Sequence, residues 1–365
     1  MRIGRRALLE GLAVSIAARS SLADELLRFG GTPQELATPT AFFERLLTPT
    51  NVFFVRSHFG APSLDRTRKL SVAGEVKTPL ELDAETLAKT FKETTVTAVL
   101  QCAGNGRALH KPRVPGVQWV HGGMGQATFT GVRLKDVLEK AGIDASAVLH
   151  VRATGADAPP KPTVPAFVRS VPLARALDPS TLIATKMNGE PLTLAHGAPL
   201  RLVLPGWCGD HWVKWLTSLR VQKEEADGFY MQTAYRMPVP GETDKTRPAT
   251  TFPVKSIIGA PADGAKGALG PQHVVGIAFS GDAPIKQVEV SIDGGTTWTK
   301  AKLEGDAGAG RAQVFRHDFD QKTPATLRAM SRATDAKGNT QPKEPAWNPS
   351  GYFWNGWHEV TWSVA

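Results

Sequence analysis

Residues 96–107 read VTAVLQCAGNGR, and the reading of this stretch decides how the rest of the chain is parsed. The β-branched run has the composition of a strand. Gly104 and Gly106 then end it in a turn, which leaves Cys102 at the strand's exit. Cys102 is one of only two cysteines in 365 residues. A thiol in that position can be core packing, half of a disulfide, a nucleophile or a metal ligand.

Outward from this strand, short apolar runs alternate with occasional helical patterns. FFVRSHF (53–59) and LRLVLPG (200–206) read as strands ending in turns. RLKDVLEKAGI places Leu134, Val137, Leu138 and Ala141 at helical spacing, and Gly142 can stop the helix. From residue 236 the composition changes: RMPVPGETDKTRPATTFP is rich in proline and polar residues and reads as a linker. Beyond it come VVGIAFSG, IKQVEVSIDGG and ATLRAMSRATDAKGN, alternating runs with Asp-Gly-Gly and Lys-Gly-Asn turns. Short strands at this density predict an immunoglobulin-like sandwich. The expected class is α+β: a mixed α/β domain over 24–240 carrying the unusual residues, then an all-β domain over 250–365.

The totals fit two domains with sizeable cores. Net charge is +9, but no Lys/Arg block interleaves with aromatics, which argues against a nucleic-acid groove. The surplus reads as solubility, or as suited to an anionic substrate or acidic partner. Residues 1–23, MRIGRRALLEGLAVSIAARSSLA, have the basic start, apolar stretch and small residues of an export signal. They are too short and too interrupted by Glu10 to span a bilayer. Arg5 and Arg6 before ALLEG read as a twin-arginine signal, the alternative being an ordinary secretory leader. The mature protein is expected in the periplasm. Two cysteines cannot build a four-thiolate zinc or iron–sulfur site, and no C-x-x-C-H is present for covalent haem.

Arg56 and His58, two positions apart in FFVRSHF, share a face if that run is a strand. AHGAPLRLVLPGWCGDHWVKWL gathers His196, Arg201, His211 and Lys214 among tryptophans and glycines. Long cations in such turns can grip a phosphate-bearing anion, or form an ordinary charged surface ribbon; charge pattern alone leaves both open.

Order and spacing add more. FFVRSH, LQCAGNGR, GVQW, PLARALDP, MNGEPL, HGAPLRLVLPG, HWVKWL, VEVSIDGGTTW and WNPSG resemble, in order, the sulfite oxidase family of molybdenum enzymes, from residue 50 to the end. The resemblance implies a molybdopterin-binding domain followed by an immunoglobulin-like dimerisation domain. It makes Cys102 the thiolate ligand to molybdenum, a soft donor whose deprotonation neighbouring arginines favour. Cys208 has no counterpart and reads as structural. Phe54, Val55, Arg56, Ser57, His58, Asp157, His196, Arg201, Trp212, Val213 and Lys214 match the family's pterin-binding segments. Arg56, Arg107, Trp119 and Tyr235, with His58, match the lining of its anion pocket. Two guanidiniums can hold a small oxyanion in forked hydrogen bonds at any working pH.

One departure matters: vertebrate members carry Arg in W-N-x-R-G where this chain has Ser350. The remaining arginines, or His58, would have to compensate. No haem domain is expected in this chain, so electrons would pass to a separate c-type cytochrome, in a homodimer or a heteromer with that cytochrome. The resemblance implies oxidation of sulfite to sulfate. The rivals are a related molybdopterin oxidoreductase acting on a sulfoxide or nitrate, and a metal-free periplasmic oxyanion-binding protein. A serine hydrolase is set aside for want of a G-x-S-x-G elbow.

Overall fold

The computed structural model describes residues 27–30 and 35–365, with side chains from residue 35 onward. The expected leader lies outside the described residues. The first half folds around two five-stranded sheets. In one, Glu190–Pro191, Leu182–Met187, Met124–Arg133 and Glu93–Gln101 lie in that order, with Arg201–Val203 also paired to Leu182–Met187. In the other the order is Leu80–Leu82, Leu70–Gly74, Leu216–Gln222, His150–Gly155 and Val168–Pro172. Leu134–Ala141 is helical as its spacing predicts. Leu134, Val137, Leu138 and Ala141 are all buried, and Gly142 closes the helix at φ 75°. Its apolar stripe joins one continuous core with the inner faces of both sheets, including Leu70, Val72, Phe129, Ile183 and Leu219.

The second half is a sandwich. A four-stranded sheet (Lys255–Ala260, Gly270–Phe279, Ala312–Gln321, Lys302–Glu304) packs on a five-stranded one built around Ala325–Asp335, Ile285–Ser291 and His358–Val364. Alternate residues Val274, Val288, Val290, Phe315, Ala329 and Trp362 fill the space between the sheets. The Asp-Gly-Gly and Lys-Gly-Asn turns form as read, with Gly294, Gly295 and Gly338 at φ 74°, 94° and 86°. Among the described residues, no helix is long and apolar enough to cross a membrane.

Two expectations need correction. Residues 53–59 are not a ladder strand: only Val55 is bridged, to Leu36, and the segment is otherwise irregular. Phe53 and Phe54 are buried on their own account, so the apolar run reflects core packing rather than pairing. Residues 236–253 are not a free linker, because Arg236–Pro238 and Thr246–Pro248 form an antiparallel hairpin. A third core joins the halves: Phe43, Val99 and Met124 pack with Phe252, Ile257, Ile277 and Phe279. There Gln126 accepts from Ala312 N (2.6 Å) and donates to Ala312 O (3.1 Å).

Candidate active site

The strand Glu93–Gln101 delivers Cys102 to a run of tight turns. Cys102 N donates to Gly123 O (2.9 Å), Asn105 N to Cys102 O and Arg107 N to Gly104 O, both at 3.0 Å. Gly106, at φ 96°, permits the curl, and a Cβ there would meet Trp354 Cβ at 2.7 Å. Both cysteines are free, and Cys102 is only part-buried. Its sulfur lies where two cavities meet.

The first cavity is lined by Phe54, Val55, Arg56, Ser57 and His58 from the irregular segment, with Cys102 and Asp157. The 195–215 segment contributes His196, Arg201, Trp212, Val213 and Lys214. Every residue expected at a pterin site therefore faces one space. The second is lined by Arg107, Trp119, Tyr230, Ser350 and Tyr352 among others. Arg56, His58, Cys102 and Tyr235 line both.

The first cavity's cations are deeply set. Arg201 donates to His196 O (3.0 Å) and Trp212 O (3.3 Å), while its Nε has no partner in the protein. Burial lowers its pKa to about 9. Lys214 Nζ holds Ser57 Oγ (2.8 Å) and Ala195 O (3.0 Å); burial, then Arg201, lowers its pKa to about 7. Burial raises the Asp157 pKa. Arg201 and Lys214 are desolvated here, and of the two carboxylates lining the cavity Asp210 is already paired with Arg169, so the protein itself compensates these cations poorly. An anionic, ring-bearing group with a phosphate would satisfy the cations, Asp157 could accept from ring N–H groups, and the free thiol could ligate a soft metal. The residues present fit a molybdopterin bearing molybdenum.

At the shared wall, Tyr235 Oη and His58 Nε2 are 2.9 Å apart. His58 stacks on Phe167 with ring centroids 4.6 Å apart. Burial, then Arg56, holds His58 down at about 3, so it is neutral at working pH. Burial raises the Tyr235 hydroxyl well above its ordinary 10, so it keeps its proton. Burial also outweighs the pull of Arg56 and Arg107 on Cys102 and leaves the thiol above its ordinary 9. The arginines alone do not make the thiolate; a bound metal would. Arg107 is locked by Nε to Ser350 O (3.2 Å) and by an η nitrogen to Val117 O (3.0 Å). Ser350 thus meets the arginine through its carbonyl, with no cation of its own.

The sequence reading singled out His211 but missed the buried group it belongs to, formed with Arg169 and Asp210. Arg169 lies 2.8 Å from both Asp210 Oδ2 and His211 Nε2, and its guanidinium sits 5.4 Å from the Tyr235 ring. Cys208 Sγ donates to Asp210 Oδ1 (2.7 Å), consistent with its structural reading. Cys208, Asp210 and His211 have ligand atoms within 4.8 Å of one another, but Asp210 and His211 are already engaged by the Arg169 guanidinium. The signal for it was a lone arginine inside the apolar run FVRSVPL.

A bipartite fold of this kind, with a thiol between a cation-rich cleft and an arginine-lined antechamber, is suited to hold a molybdopterin. Residues 58–230 match the oxidoreductase molybdopterin binding domain, and residues 246–364 the Mo-co oxidoreductase dimerisation domain. Mouse mitochondrial sulfite oxidase is 37% identical over 351 residues, covering 90% of this chain and 62% of that protein. Arabidopsis thaliana sulfite oxidase is 33% identical, covering 88% and 89%. The sulfane dehydrogenase SoxCD of Paracoccus pantotrophus superposes with a TM-score of 0.80 at 31% identity, covering 93% of this chain and 86% of that one. A Brassica napus NADH nitrate reductase is more distant, 28% identical over 90% of this chain and 40% of its own. The chain belongs to the sulfite oxidase family. It spans about three-fifths of the length of the mammalian relatives it matches.

Proposed function

We propose that this protein oxidises sulfite to sulfate, with water as the oxygen source and two electrons and two protons released per turnover. The observation that carries this reading is the meeting of the two cavities at Cys102, with Arg56 on both and Arg107 on the outer one. Cys102 would ligate molybdenum. His196, Arg201, Asp157 and Lys214 would hold the pterin and its phosphate. When bound, the centre supplies oxygen-atom transfer and takes up the two electrons.

The chain's own part is electrostatic. Arg56 and Arg107 draw a small oxyanion into the antechamber and offset its charge as it nears an electron-rich centre. Trp119 and Tyr352 form part of the antechamber wall. Tyr235 retains its proton and His58 stays neutral, so the pair can orient the anion and hold one proton without adding charge. With Ser350 in place of a third arginine, capture rests on these two guanidiniums.

The same reading has electrons leaving to a c-type cytochrome over the antechamber mouth, with modest, salt-dependent affinity. The twin-arginine leader supports a periplasmic location. The match of 246–364 to a dimerisation domain supports a dimer. The test is to mix purified protein with sulfite and ferricyanide. Sulfite-dependent reduction is expected; its absence, with reduction of nitrate or a sulfoxide instead, would favour the rival chemistry.

A further inference from the structure

Arg56 is the cation common to both cavities, and it is not alone. Glu35 Oε1 lies 3.5 Å from Arg56 Nε, with the two side chains only 15% and 21% exposed. Among the described residues it is the carboxylate within ion-pair distance of Arg56. The contact is held by backbone. Leu36 N donates to Val55 O (3.0 Å) and Val55 N to Leu36 O (2.8 Å), pinning the Glu35–Ala37 strand beside Arg56. Thr38 Oγ1, next along, accepts from Phe54 N at 3.0 Å. Arg56 is also anchored independently, donating to Ser57 O.

A carboxylate beside an anion-binding guanidinium opposes the capture that the guanidinium performs. Its use lies in the other half of the cycle. Near neutrality sulfite carries between one and two negative charges, whereas sulfate carries two. Attraction to a fixed cation scales with ligand charge, so an untempered pair of arginines would hold product at least as firmly as substrate. Binding energy spent equally on both does not raise the rate.

We propose that Glu35 is a positioning residue that acts through Arg56 as a counter-charge, weakening the site's hold on the oxyanion product so that it leaves. This rests on the sulfite reading for the identity of the product, but the counter-charge itself is tested without turnover.

Sulfate is titrated calorimetrically into oxidised holoenzyme at low and high ionic strength, for the wild type and for Glu35→Gln and Glu35→Asp. Glu35→Gln keeps the shape and removes the charge. At low salt it is expected to bind sulfate about three- to tenfold more tightly, a range set by one part-buried ion pair. High salt should shrink the gap. In turnover, the KM for sulfite and the inhibition constant for sulfate should both fall while kcat does not rise. Glu35→Asp should behave as the wild type. Unchanged or weaker sulfate binding in Glu35→Gln at low salt would overturn the proposal, since a merely structural contact gives that result. If the glutamine variant does not fold, Glu35→Ala carries the same expectation. Tighter sulfate binding in a protein that does not oxidise sulfite would leave the counter-charge standing and remove the sulfite reading.

Discussion

At the scale of single residues, the account turns on a thiol that burial keeps protonated until something takes its proton. Cys102 is free, part-buried and open to both cavities. Replacing it by serine leaves the turn's backbone hydrogen bonds intact, since none uses the sulfur. Cys102→Ser is therefore expected to unfold within a degree or two of the wild type, a small change for a near-isosteric swap, yet to show no sulfite turnover. Retained turnover would contradict the ligand role. Cys102, the expected pterin-segment residues and Arg107, Trp119 and Tyr235 were legible because they lie in motifs that follow a family order, so a resemblance could carry them. Glu35, Arg169 and Asp210 were not. Each acts through a partner far away in sequence: Glu35 on Arg56, Arg169 on Asp210. Charge-partner choice at such range belongs to the fold, not to local pattern.

Among elements, the strand Glu93–Gln101, the helix Leu134–Ala141 and the sandwich strands were legible because a period of two or 3.6 survives wherever one face is buried. The segment 53–59 misled for the opposite reason. Its phenylalanines are buried by packing from several directions, and its shape is held by contacts outside the local window: the bridge to Leu36, Thr38 on Phe54 N and Lys214 on Ser57. The Cys102 turn is the most constrained element. Gly106→Ala must place a Cβ at φ 96° against Trp354. It should cost at least about 2 kcal/mol and lower activity by displacing Arg107. A chemical denaturation midpoint equal to the wild type's would contradict this.

His358, on the strand His358–Val364, makes a second element-scale prediction. Its Nδ1 accepts from Ile258 N at 2.8 Å, so it must be neutral there. Burial, then Lys255, lowers its pKa from 6.5 to about 3, with Asp263 opposing. His121 is the ring facing it, at 4.0 Å, and is itself held well below its ordinary value by burial. Between pH 6.5 and about 3 the unfolded chain binds a proton at His358 that the folded protein does not. Stability therefore falls as pH falls through that window. His358→Asn, which keeps an acceptor and cannot titrate, should flatten the decline of Tm over it. An unchanged slope would count against the assignment.

At the scale of the whole molecule, the two halves are joined by a shared apolar core, so the sandwich bears on the site. Trp354 packs on Gly106, and Ser350 braces Arg107 from the sandwich side of the chain. That a mixed sheet-and-helix fold is followed by a β-sandwich was legible from composition and strand pattern. The joint between them was not, because the 236–253 stretch reads as a linker yet folds as a hairpin whose neighbours Ala249 and Tyr235 pack with Cys208. The antechamber takes its lining from both halves, Arg107 and Trp119 from the first and Ser350 and Tyr352 from the second. The most direct test of the central claim is elemental analysis of the protein purified from its native host, paired with sulfite-driven reduction of a c-type cytochrome. The account predicts about one molybdenum atom per chain and reduction that depends on sulfite. Protein that carries no molybdenum, or that carries it and leaves the cytochrome oxidised in the presence of sulfite, would contradict it.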